Sequence, residues 1–120
     1  MPLYYNLATV VASVPSSDGF PVTVLEASAC AAPLVVSQLP YCDEWFVNGE
    51  NGLVVPVRDA QALAIALIAV CEDRELSRRL GAASRRLVAE RADYQRCMDI
   101  LEHEYRALVD SADGARRARR

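Results

Sequence analysis

A chain of 120 residues, 52% hydrophobic and 24% charged, has the length of one domain with a single core and is too apolar for a disordered polymer. Its formal net charge of −3 gives no global attraction to nucleic acid or to an anionic membrane surface. No stretch is long and apolar enough to span a bilayer, and the uncharged start lacks the basic n-region of a signal peptide, so the expected location is cytoplasmic.

In chain order, residues 1–7 read as the end of a short helix, and 8–14 (ATVVASV) as a strand with too little polar alternation to have a wet face. Residues 15–21 (PSSDGFP) form a turn-rich loop, after which Pro21 suits the first position of a helix over 22–31. Pro33 leads into a second buried strand, 34–37 (LVVS). A short helix over 41–47 and the turn 48–52 (NGENG) precede a third strand, 53–57.

From there the pattern is helical. Asp59 caps a helix over 60–71 with Leu63, Leu67 and Val70 on one face, and Asp73 caps the next, with Leu76, Leu80, Ala83 and Leu87 at helical spacing. A last helix over about 93–109 carries Tyr94, Cys97, Leu101, Tyr105 and Leu108 as its stripe, and 111–120 reads as a disordered basic tail. Strands alternating with helices predict an α/β fold built on a parallel sheet. Three short strands make this a partial Rossmann-like sheet with a helical C-terminal half. In the order 3-2-1-4-5-6 the strands present would be the fourth to sixth, which puts the loop 15–21 at the switch point where ligands bind. The first strand, apolar on both faces and at an open edge, is expected to pair with the missing half of the domain or with a second copy.

Cys30, Cys42, Cys71 and Cys97 are spread without any C-x-x-C pair, so reduced structural cysteines are expected, with no metal site. The only histidine, His103, stands between Glu102 and Glu104 on a wet helix face, and no Ser or Cys motif accompanies it. Arg78, Arg79, Arg85 and Arg86 form the wet face of their helix; Trp45 and Phe46 read as core residues, with sugar stacking as the alternative.

The chemistry concentrates in Asp18-Gly19-Phe20-Pro21-Val22-Thr23-Val24-Leu25-Glu26. Asp18 and Glu26 are the only charged residues in 1–42, in a region otherwise apolar and turn-forming. From Pro21 to Glu26 a helix rises roughly 7–8 Å, so the two acids can bracket a ligand of nucleotide-sugar size. The N–H groups that open the helix suit a diphosphate, Gly19 admits close approach to the backbone, and carboxylates accept hydrogen bonds from sugar hydroxyls. The alternative reading of the same residues is structural: Asp18 caps the helix and Glu26 pairs with a distant arginine.

Around this segment the sequence resembles the retaining glycosyltransferases of family 4, the glycosyl transferases group 1, whose architecture is GT-B. The matching stretches are 8–16, 18–26, 26–36, 48–56 and 59–64, in register and in order. The resemblance implies that 1–110 is part of the C-terminal, donor-binding domain of such an enzyme and that the chain is a fragment. It implies that Glu26 contacts the ribose and Asp18 the donor sugar of a nucleoside-diphosphate sugar. Backbone groups from Gly19 through Phe20, Pro21, Val22 and Thr23 would hold sugar and phosphates. No catalytic protein nucleophile and no metal or other cofactor is implied. Asp18 stands in place of the usual Glu, and Ala32 where glycine is common. The Arg and Lys that hold the diphosphate in the family lie upstream and have no counterpart here, since the chain has no lysine and its first arginine is Arg58. Inactivity of the chain alone is therefore expected. The competing readings are a non-catalytic nucleotide or sugar-phosphate binding module and an inert truncated remnant.

Overall fold

The computed structural model describes residues 2–118 in the order α1 (Pro2–Leu7), β1 (Val11–Ser13), α2 (Val22–Ala29), β2 (Leu34–Ser37), α3 (Cys42–Trp45), β3 (Leu53–Val55), α4 (Ala60–Glu72), α5 (Arg74–Arg91) and α6 (Tyr94–Ala118). The three strands form one parallel sheet in the order β1-β2-β3, with Val11 opposite Leu34 and Val35 opposite Leu53. All four residues of β2, the central strand, are buried.

Alternation along the strands divides the interior into two layers. Leu34 and Val36 face Val24, Ala27, Tyr5 and Cys42, with Val11 and Val54 beside them. Val35 and Val55 face Ala66, Val70 and Leu80 on the other side, together with Val10 and Leu53. Both faces of the sheet are thus covered, as parallel sheets require. The predicted stripe Leu63, Leu67, Val70 of α4 lies against the second layer. Asp59 accepts from the Ala62 N–H at 2.8 Å and Asp73 from the Leu76 N–H at 2.9 Å, so both predicted caps form.

Several elements differ in their ends from the sequence expectation. β1 is shorter than 8–14, because the Ala8 N–H closes the end of α1 on the Tyr5 carbonyl and pairing is available only where β2 runs alongside. Pro21 is the N-cap of α2 and not its first residue: its ψ of 126° is extended. The last helix runs on to Ala118, through most of the stretch read as a disordered tail; Arg119 and Arg120 lie outside the described residues. The Tyr94–Leu108 stripe lies on a helix whose every described side chain is exposed, and that helix projects from a molecule of 70 × 27 × 23 Å.

The close of α2 departs from expectation in another way. Ala32 N–H bonds to Ala27 O (3.0 Å) and Ala31 N–H to Ser28 O (2.9 Å), the double closure of a Schellman motif, with Ala31 at φ 56°. The position that calls for glycine is therefore Ala31, one residue before the expected Ala32. Gly81 of α5 meets α2 at this point: a Cβ on it would lie 2.0 Å from the Ala31 carbonyl oxygen. Glycine there lets α5 close on the sheet layer.

Candidate functional site

Loop 15–21 leaves the carboxyl end of β1 and is fixed at both ends. At its start, Ser37, the buried last residue of β2, donates its hydroxyl to the Pro15 carbonyl at 2.7 Å. At its end, Phe20 stacks on Trp45 (centroids 4.6 Å apart, planes at 25°) and meets Tyr41 edge-on at 5.1 Å. Between these anchors Asp18 and Gly19 stand exposed at the crest.

The aromatic anchor is itself braced. Asn51 accepts from the Val47 N–H (2.8 Å) and donates to the Trp45 carbonyl (2.7 Å), closing the NGENG turn predicted from sequence. Arg79 of α5 donates to Gly49 O and Arg91 to Glu44 O, each at 2.9 Å. Two residues of α5 thus hold the segment that carries Trp45 in place.

No side chain caps α2. The predicted alternative in which Asp18 serves as that cap does not form. Val24 N–H turns back to Pro21 O at 3.0 Å, and Val22 and Thr23 are exposed, so the opening N–H groups of the helix face solvent. Gly19 has no need to be glycine for the protein's own sake: its φ is not positive, and a Cβ there would meet nothing within 4 Å.

Glu26 lies exposed on the second turn of α2, where its Oε2 accepts the Tyr5 hydroxyl at 3.1 Å. Burial, and then this bond to a carboxylate, hold the Tyr5 phenol above its ordinary pKa. The arginine partner offered by the structural reading is not seen: the ion pairs among the described residues are Arg78–Glu75 and Arg106–Glu102. Both acids therefore keep lone pairs for a ligand on one loop–helix unit. Tyr5 was not singled out from sequence; an aromatic in an otherwise apolar helix gave no sign that its hydroxyl would reach a residue 21 positions away.

A cavity of about 200 Å³ opens at the same end of the sheet, lined by Val14, Ser37, Val55, Arg58, Asp59 and Leu63 among others. Neither acid borders it. Arg58, the first basic residue of the chain, sits at its rim in the left-handed region at φ 62°. Among the described residues no three His, Cys, Asp or Glu side chains converge as a metal site would need. No described helix is long and apolar enough to cross a membrane.

Comparison with known proteins gives this geometry a context. The pattern of the family described as glycosyl transferases group 1 matches residues 1–87. The capsular polysaccharide biosynthesis glycosyltransferase CapM of Staphylococcus aureus is 25% identical over 111 residues, which are 92% of this chain and 29% of that protein. The structure superposes on sucrose-phosphate synthase from Thermosynechococcus elongatus with a TM-score of 0.86 and 28% identity, covering 91% of this chain and 27% of that one. It also matches Anabaena HepE in complex with UDP at a TM-score of 0.76 and 20% identity, over 86% of this chain and 30% of that one, a likeness of fold. The chain thus spans under a third of the length of each of these relatives.

Proposed function

This chain belongs to the glycosyl transferases group 1 family, and from that premise we propose that it supplies the donor half of a site for retaining sugar transfer from a nucleoside-diphosphate sugar. The observation that carries the reading is the pair Asp18 and Glu26, both exposed, on a loop and helix that follow the carboxyl end of β1 in a parallel sheet. Glu26, held by Tyr5, accepts the ribose hydroxyls. Asp18 accepts those of the sugar, and the diphosphate lies against Gly19 and the N–H groups of Val22 and Thr23, at the positive end of α2. HepE, a structural neighbour, binds UDP, which fits a donor of this class.

In this reading the sugar leaves from the diphosphate and the acceptor attacks on the same face, the departing phosphate taking the acceptor proton. No protein nucleophile takes part. Developing charge on the diphosphate calls for preorganised cations. The chain has no lysine and no arginine before Arg58, which lines a cavity that neither acid borders. We therefore expect the chain alone to bind a donor weakly and to transfer no sugar; the rest of a longer enzyme, or a second copy at the open edge of β1, would complete it. Incubation with UDP-, GDP- and ADP-sugars and simple acceptors tests this. Product above the buffer control from the chain alone would overturn the expectation of inactivity. The competing reading, a non-catalytic binding module, predicts no product even when the remaining domain of a relative is supplied.

A further inference from the structure

The Tyr41 hydroxyl is buried and has no hydrogen-bond partner among the described residues. An orphaned buried hydroxyl is costly, and native proteins keep few of them without a reason. Its neighbour Cys42 gives its thiol proton to the Ser37 carbonyl at 3.2 Å and offers the phenol only a sulfur, a weak acceptor. Tyr41 is also fixed where it stands, since its ring meets Phe20 edge-on and Phe20 is in turn stacked on Trp45. Two residues before Phe20 is Asp18, whose carboxylate caps no helix and enters no ion pair among the described residues.

A hydroxyl with no oxygen or nitrogen acceptor and a carboxylate without a donor are thus linked through one aromatic contact, that of Tyr41 with Phe20, two residues along the chain from Asp18. We propose that Tyr41 is a positioning residue for Asp18: when a nucleotide sugar docks and the crest of loop 15–21 settles inward, the Tyr41 hydroxyl donates to the Asp18 carboxylate and aims its other oxygen at a sugar hydroxyl. This rests on the donor-site reading above and extends it to a residue outside the Asp18–Glu26 segment. The electrostatics agree with the geometry. Burial first, then Cys42 and the charge of Asp18, raise the Tyr41 phenol to about 12, so it stays a protonated donor throughout the neutral range. A bond that forms only with the sugar in place favours the loaded state.

The test is a double-mutant cycle on the full chain with Tyr41→Phe and Asp18→Asn, titrated with UDP-glucose and with UDP as probes. Tyr41→Phe should weaken UDP-glucose binding roughly three- to tenfold and leave UDP unchanged. In the Asp18→Asn background the same substitution should have little further effect, a non-additivity that a merely structural role would not produce. The ligand-free melting temperature of Tyr41→Phe should be equal to or above that of the parent. Unchanged UDP-glucose affinity, additive effects, or a marked fall in melting temperature would each overturn the proposal while leaving UDP binding, and the donor-site reading, intact. Failure of the parent chain to bind either probe would instead overturn the donor-site reading, and this inference with it.

Discussion

Tyr5 of α1 donates its hydroxyl to Oε2 of Glu26 on α2 across 3.1 Å. The bond joins a ring buried in the layer beneath the sheet to an acid that faces solvent. A side chain from the core therefore sets the direction of the one carboxylate on the exposed face of α2.

This predicts that Tyr5→Phe keeps the fold and spoils the aim. The ring stays packed and the freed carboxylate returns to water, so the stability change should stay within about 1 kcal/mol. Nucleotide affinity should fall a few-fold, because Glu26 regains rotamer freedom that binding must then remove. Thermal melting and calorimetry on the same sample separate the two. A large loss of stability with no change in affinity would make the bond purely structural.

Gly19 offers a cleaner separation of fold from site. Nothing lies within 4 Å of the position a Cβ would take, and no positive φ demands glycine. Gly19→Ala should leave the unfolding free energy within about 0.5 kcal/mol of the parent's, the range for ordinary surface changes. If a diphosphate or sugar rests against this backbone, the added methyl should weaken its binding measurably. Equal nucleotide affinity for the two proteins would remove Gly19 from the site.

The junction of α2 and α5 gives predictions of opposite sign. Ala31 sits at φ 56° at the end of α2, where glycine carries no Cβ strain, so Ala31→Gly should stabilise by about 0.5–1 kcal/mol. Gly81→Ala would press a methyl to 2.0 Å from the Ala31 carbonyl, a backbone atom with no room to yield, and should destabilise by about 1–3 kcal/mol or more. Urea unfolding of both variants checks the pair; a neutral Gly81→Ala would mean that α5 does not pack on α2 in this way.

Much of this was legible in the sequence. The alternation of apolar strand and helix fixed the parallel order, and Asp59 and Asp73 announced their helices by cap chemistry that depends only on local spacing. What escaped was long-range. The pairing of Tyr5 with Glu26, the Phe20–Tyr41–Trp45 cluster and the Gly81–Ala31 contact join residues whose neighbourhood exists only after the chain has folded. The exposure of the α6 stripe has a related reason. Helical spacing of Tyr94, Leu101, Tyr105 and Leu108 says that an apolar face exists, but not that anything in this chain covers it.

Amide chemical-shift mapping of the chain during titration with UDP-, GDP- and ADP-sugars locates even weak binding, and so shows whether the Asp18–Glu26 unit holds a nucleotide sugar. At least one donor should shift the amides of Gly19 to Glu26 together, and Glu26→Gln should weaken that titration by about 1.5–3 kcal/mol, the range for hydrogen bonds to a charged group. Shifts confined to the cavity around Arg58 and Asp59, or a Glu26→Gln titration identical to the parent's, would contradict it.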